Sequence, residues 1–350
     1  MVRKIILLFS VIAGLSMNIL AGNESHLSPK DVLLKYDEMV NRLSCISMRL
    51  SSRESWSPLD PNLAKYAVHE TDVTVNRNGS NLDCFGTEKI FDVNGVCVVE
   101  KIICNMFIDG KHYTAYKWPV GGKPMFAQIA DNNEYEEDLQ QYFFDAPKYG
   151  GDIWSRVIGC DGKTIPEMLK MAQNLELSSE MADIDGISCY VLRGSTKYGK
   201  VTAWIAPERS YNAVRWTVEK SPSDIFNGYR IGDKGTGLKK LLVKLELTEF
   251  LPAGKVFVPS GGIDSGTRKY EGSKETTDIC EWKASEISLN PDFAALGAFK
   301  FKIPDGTPVT VTEHMGISYV WKDGSAAPDV EGLAFDEIDK ILDESEPCEN

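Results

Sequence analysis

The chain has 350 residues, 38 of them Lys or Arg and 51 Asp or Glu, for a formal charge of −13 and a pI near 4.9. With 43% hydrophobic and 25% charged residues it has a globular make-up, which excludes a disordered chain, a collagen and a polytopic membrane protein. The acidic balance argues against nucleic acid as a partner, because binding it needs concentrated Lys and Arg to displace counterions.

The first residues read as a secretory signal peptide over 1–22. Arg3 and Lys4 give a basic end, Ile5 to Leu20 a mainly apolar core, and Ala21 and Gly22 a small-residue exit. The core is interrupted by Ser10, Ser16 and Asn18, and is shorter than the roughly 20 apolar residues of a membrane span. Leu20-Ala21-Gly22 would suit a lipoprotein signal, but Asn23 stands where the lipid-bearing cysteine belongs. The expectation is a soluble periplasmic or secreted chain, not an integral membrane protein. Its charge without the leader is 36 − 51 = −15.

Ser28-Pro29-Lys30-Asp31 is a helix start. Ser28 can cap, Pro29 needs no amide partner in the first turn, and Asp31 can complete a capping box. Val32, Leu33, Tyr36, Met39, Val40 and Leu43 then recur at helical spacing as one apolar stripe. This predicts a helix laid against a sheet or lining the mouth of a cavity. From Ile46 the period becomes two: Ile46, Met48 and Leu50 alternate with Ser47 and Arg49 as a half-buried strand. An antiparallel meander follows, with strands at 65–75, 85–93, 96–108 and 111–118. Asn78-Gly79, Asn94-Gly95 and Asp109-Gly110 are its hairpin turns, since both central residues of a type I′ turn need positive φ.

A two-residue turn at Asn94-Gly95 sets Cys84 opposite Asn105, one place from Cys104, and a single bulge would bring the two cysteines together. Cys84–Cys104 is the candidate disulfide. Cys45, Cys97, Cys160, Cys189, Cys280 and Cys348 complete an even set that fits an exported chain, with connectivity otherwise open. No C-x-x-C occurs, which removes a thioredoxin-like site and the usual zinc-knuckle spacing.

Beyond an acidic stretch at Glu134, Glu136, Glu137 and Asp138, Thr164-Ile165-Pro166-Glu167 starts a second helix. Met168, Leu169, Ala172 and Leu175 carry it toward Leu177. Further strands are expected at 189–193, 200–205, 214–218, 241–247, 278–289, 299–303, 309–311 and 317–321. The glycine-rich stretch near 254–272 reads as a long loop. Residues 329–350 read as an acidic tail or short amphipathic helix built on Leu333, Phe335, Ile338, Ile341 and Leu342. Many strands against two or three helices lack the alternation of a parallel α/β fold. The prediction is a mainly β (α+β) single domain over 23–328, a large curved antiparallel sheet or half-open β-barrel with a few helices as a lid.

Three segments carry a family resemblance. The first is the helix and strand from Leu33-Leu34-Lys35-Tyr36 through Cys45-Ile46-Ser47-Met48-Arg49-Leu50. The second is Asp185-Gly186-Ile187-Ser188-Cys189-Tyr190-Val191-Leu192, followed by Val201-Thr202-Ala203-Trp204-Ile205-Ala206-Pro207-Glu208 and Val214-Arg215-Trp216. The third is Phe299-Lys300-Phe301-Lys302-Ile303-Pro304-Asp305-Gly306-Thr307-Pro308-Val309. In order and spacing they resemble the LolA/LolB-like superfamily of periplasmic lipoprotein and lipid carriers, most closely its planctomycete-type exported members. The resemblance implies a half-open curved sheet whose lid helices enclose acyl chains. The chain departs from that family in its greater length and its eight cysteines, and no residue for handing over a lipoprotein can be matched.

No catalytic set emerges. His26, His69, His112 and His314 are far apart, without H-x-x-x-H or H-E-x-x-H, and there is no G-x-S-x-G elbow. Asp264-Ser265-Gly266 matches a protease motif only superficially. Glu134, Glu136, Glu137, Asp138, Asp183 and Asp185 read as solvated charge. The expectation is a protein without catalytic residues, metal or cofactor. It would bind a lipid, lipidated protein or other amphiphile through Leu33, Tyr36, Met39, Val40, Leu43, Met48, Trp204, Trp216 and Phe301. Each buried CH₂ of such a ligand would be worth about 0.8 kcal/mol. The alternative is a structural or protein-interaction component of the cell envelope whose core is filled by its own side chains. An exported hydrolase is the third reading, and it would need a nucleophile–base pair or two opposed carboxylates.

Overall fold

The computed structural model describes residues 27–55, 68–117, 125–131, 160, 162–226, 228–234, 237–273, 275–312 and 317–329. The leader, the acidic stretch at 132–150 and the tail beyond 329 lie outside them. Helix α1 (Pro29–Arg42) starts as its sequence dictates. Ser28 Oγ accepts from Asp31 N at 3.3 Å, and the Asp31 carboxylate accepts from Ser28 N at 3.0 Å. Helix α2 (Ile165–Lys170) uses the same device with Thr164 and Glu167. Lys170 reaches across to Asp37 at 2.7 Å and ties α2 to α1.

Strand β1 (Cys45–Ser55) opens the meander β2 (Val68–Asn78), β3 (Asn81–Phe91), β4 (Cys97–Ile108), β5 (Lys111–Lys117) and β6 (Phe126–Asp131), each antiparallel to the one before. Asp109 and Gly110 close the β4–β5 hairpin with φ of 49° and 82°, the two positive values expected there. After α2 come β7 (Glu176–Leu177) and β8 (Ala182–Ile184), both paired with β9 (Ile187–Thr196). Then follow β10 (Gly199–Ala206), β11 (Asn212–Lys220), the small separate hairpin β12 (Ile225–Phe226) and β13 (Tyr229–Arg230), and three long strands, β14 (Leu238–Ala253), β15 (Val256–Tyr270) and β16 (Glu275–Leu289). β16 returns to pair with β1 and joins the two meanders. After helix α3 (Phe293–Leu296), β17 (Pro308–Val311) pairs in parallel with β6, and β18 (Tyr319–Lys322) and β19 (Ser325–Pro328) finish the sheet.

The result is a mainly β fold with one curved 17-stranded sheet. Its path runs β9-β10-β11-β14-β15-β16-β1-β2-β3-β4-β5-β6-β17-β18-β19, and among the described residues no pairing joins the two ends, so the sheet is not a closed barrel. One face is a cup covered by α1 and α2. Its core contains Val32, Leu33, Tyr36, Met39 and Leu43 of α1 with Met48, Leu50, Val73, Ile103, Val201, Trp216 and Leu245 of the sheet. A second core, of Cys104, Ala115, Ala127, Ile129, Ile303, Val309, Tyr319 and Trp321, lies on the other face. The register shows this: Cys84, in the first core, pairs with Asn105, while Cys104, in the second, pairs with Phe85. Adjacent strand residues point to opposite sides of a sheet.

That geometry overturns the proposed Cys84–Cys104 disulfide. A bulge does occur, between Ile90 and Phe91, but it sits with the longer 92–96 turn and leaves Cys84 opposite Asn105. The two thiols project from opposite faces, and among the described residues no cysteine is in a disulfide. Three element assignments also change. The stretch expected as a loop near 254–272 is largely strand β15. Gly262 marks a close approach there: a Cβ on it would lie 2.8 Å from both Glu246 O and the Trp282 ring. The second helix ends at Lys170, because Glu176 and Leu177 pair with Arg193 and Leu192 of β9. The 299–303 segment alternates in sequence but pairs with no strand among the described residues. It crosses the second core after a left-handed residue at Phe299 (φ 57°), whose N–H donates to Asp83 at 3.1 Å.

Two outcomes check this description. Gly262→Val is expected to destabilise the fold by about 1–3 kcal/mol in denaturant titration, because the added carbons have no space between β14 and Trp282. In unfolded, unreduced protein, Cys84 and Cys104 should each take up an alkylating agent, and no linked Cys84–Cys104 peptide should be found.

Candidate functional site

Along the cup floor the inward side chains change from apolar to polar. Across β2, β1 and β16 the rungs read Val73–Leu50–Ala284, then Thr71–Ser52–Trp282, then His69–Glu54–Cys280. β3 adds Glu88 opposite Thr71, and β15 adds Gly262 opposite Trp282 and Asp264 opposite Cys280. The polar rungs are bonded to one another. Ser52 Oγ and Thr71 Oγ1 lie 2.6 Å apart. His69 Nδ1 is 3.2 Å from Glu88 Oε1, and Lys101 Nζ is 2.6 Å from Glu88 Oε2. Glu88 is 2% exposed, so Lys101 compensates a carboxylate that water does not reach. Arg268 pairs with Asp278 one step further along. Burial, reinforced by the nearby charge of Glu54, pushes the Asp264 carboxyl up to about 7.

This cluster has acids, a base and hydroxyls. The Ser52 hydroxyl bonds Thr71, and His69 bonds Glu88. Among the described residues no group of three His, Cys, Asp or Glu side chains could hold a metal ion. Burial pushes the Cys104 thiol up to about 11 and Cys189 up to about 12, and raises Cys84 well above its ordinary value. These thiols are therefore poor sources of thiolate. Burial also pushes His112 down to about 4, which keeps its ring neutral near pH 7.

The opposite face of the same strands bears a groove of about 650 Å³ lined by Ser51, Arg53, Glu70, Asp72, Lys89 and Lys283 among others. Ion pairs cross it in rungs: Arg49 grips Asp72 with two bonds of 2.9 and 2.7 Å, Arg53 meets Glu70 at 2.7 Å, and Lys283 meets Glu249 at 2.8 Å. These groups are largely exposed, so each pair adds little stability. Beside the second core lies a cavity of about 440 Å³ lined by Tyr113, Ile129, Val311, Tyr319 and Trp321.

The nine candidate ligand contacts do not share one surface. Leu33, Tyr36, Met39, Leu43, Met48 and Trp216 belong to the cup core at 5% exposure or less, and Val40 packs against it. Trp204 lies on the other face of β10, against Cys189, Ala206 and Val214, with the Arg215 guanidinium 5.7 Å from its ring centre. Phe301 packs into the second core between Tyr113 and Trp321, at 5.4 and 5.3 Å between ring centres. The polar rungs went unread in the sequence. Their signal was the alternation that continues past Leu50 through Ser52 and Glu54, with polar residues on what remains an inward face.

No protein-family model matches the chain, and no curated protein sequence matches it. Two solved structures are similar at low scores. A DUF1329 family protein from Desulfovibrio piger is 10% identical, with a TM-score of 0.39, over 78% of this chain and 98% of that one. MucB, in a complex with MucA(peri), is 7% identical, with a TM-score of 0.20, over 75% of this chain and 100% of that one. At TM-scores below 0.5 neither similarity adds to what the residues themselves show. Among the described residues no helix is long and apolar enough to cross a membrane.

Asp264 supplies a test by pH. Its folded-state pKa of about 7 lies above the ordinary 3.8, so the native state holds the proton more tightly than the unfolded chain. The unfolded chain ionises first as pH rises, and stability is lost between about pH 4 and pH 7. Asp264→Asn removes the loss: its Tm is expected to exceed that of the unaltered protein at pH 8 and to match it near pH 4.

Proposed function

We propose that the protein is a non-catalytic, exported component of the cell envelope that works through its surfaces, with the helix-covered cup filled by its own side chains. One observation carries this reading. The α1 stripe occupies the concavity in which a carrier would hold acyl chains: Val32 is 0% exposed, Tyr36 1%, Met39 2% and Leu43 1%. Export rests on the basic, apolar and small-residue layout of 1–22. The outer groove offers charged contacts from Arg53, Glu70, Asp72, Lys89 and Lys283 to a macromolecular partner.

Native mass spectrometry of the purified protein, followed by solvent extraction and titration with envelope phospholipids, tests the cup. The expected result is no co-purified lipid and no saturable binding. Met39→Ala should then cost about 2–5 kcal/mol of stability, as a core truncation does, and leave lipid binding absent. Saturable binding lost on that substitution would restore the carrier reading.

The second cavity supports a narrower alternative, an amphiphile held outside the cup. Its volume of about 440 Å³ and its Tyr113, Tyr319 and Trp321 lining fall within the range of small-molecule sites. Here a fluorescent fatty-acid analogue should bind saturably, and Trp321→Ala should weaken it at least tenfold while Met39→Ala leaves its affinity unchanged.

A further inference from the structure

Lys220, at the end of β11, is 0% exposed, and so is Cys160, ahead of α2. Lys220 Nζ lies 3.1 Å from Cys160 Sγ and donates to Ile225 O at 2.8 Å. The rings of Tyr198 and Phe226 stand 5.6 and 5.7 Å from the same nitrogen. A fully buried lysine is rare, and this one is fixed on a sulfur atom by a carbonyl and two aromatic walls. We propose that Cys160 and Lys220 form an oxidation-dependent covalent crosslink in which a single oxygen bridges Sγ and Nζ.

A thiol and a primary amine are both nucleophiles and do not join without an oxidant. Dioxygen is the co-reactant, and it is small and apolar enough to enter a packed interior. Sulfur and nitrogen each give up two electrons, and dioxygen takes all four. One oxygen atom forms the new S–O and N–O bonds. The other leaves as water with the thiol hydrogen and one amine hydrogen, while the second amine hydrogen stays on nitrogen. Oxidised cysteines ordinarily condense with a second thiol or a backbone nitrogen. Here the amine is already in contact, and such pre-positioning raises its effective concentration by orders of magnitude. The bridge would fasten the segment ahead of α2 to the end of β11, joining residues 60 positions apart. Closing a loop of that size restricts the unfolded chain and raises Tm.

Intact-mass measurement and peptide mapping of the full chain, purified in air, test the proposal. The expected product is heavier by one oxygen less two hydrogens, and its digest contains a joined peptide pair spanning Cys160 and Lys220. Dithiothreitol should reverse the mass gain and lower Tm. Lys220→Arg keeps the cation without the primary amine, and Cys160→Ala removes the sulfur; each should abolish the gain. The mapping of the unaltered chain does not depend on either variant folding. Absence of the joined peptides after prolonged oxygen exposure, or oxidation of Cys160 alone to the sulfinic acid, would overturn the proposal and leave the pair a buried hydrogen bond.

Discussion

The constraint on which the structure depends is the strict two-sidedness of a strand. Every residue that faces the cup leaves its neighbours facing away, so a sheet this wide must find cover for both sides. The chain solves this with two cores placed back to back across β3 and β4. Helix α1 covers the inner face, and the 297–307 segment with β17 to β19 covers the outer one. Cys84 and Cys104 sit one register place apart at this junction and never meet. The same rule divides the nine candidate contacts among three clusters.

Closing the sheet on itself was not needed, because long-range pairing and cover protect its middle. β16 pairs with β1 across more than two hundred residues of sequence and on its other side with β15, which pairs in turn with β14; these two strands are 15 and 16 residues long. Such strands can lie close only where side chains permit. Gly262 lets the Trp282 ring lie against the backbone, and Gly86 allows an approach in which a Cβ would stand 2.1 Å from Asp72 O. Glycine in β15 thus serves packing between strands, where its abundance in the sequence suggested a loop.

On the cup floor a helix stripe packs over a row of alternating strand residues. The apolar end is filled from above by α1. At the polar end Ser52 bonds Thr71, and His69 and Lys101 both meet Glu88. Buried polar groups bonded in this way specify a packing arrangement, and Lys101 and His69 both stand against the buried Glu88. Among the described residues, one charged groove and one aromatic cavity lie on the outer side of the sheet.

Sequence alone determined the local elements. The capping box of Ser28 and Asp31, the helical stripe from Val32 to Leu43, the alternation of Ile46, Met48 and Leu50, and the Asp109-Gly110 turn depend on neighbours a few residues away. Each reads directly from propensity and period. The 299–303 alternation did not become a strand because a strand also needs a partner, and among the described residues that segment pairs with none. Tertiary structure decided which face of each strand is covered and that Cys84 and Cys104 lie on opposite faces. Alternation says that two neighbours point opposite ways, but only the packing of distant segments says which side is dry.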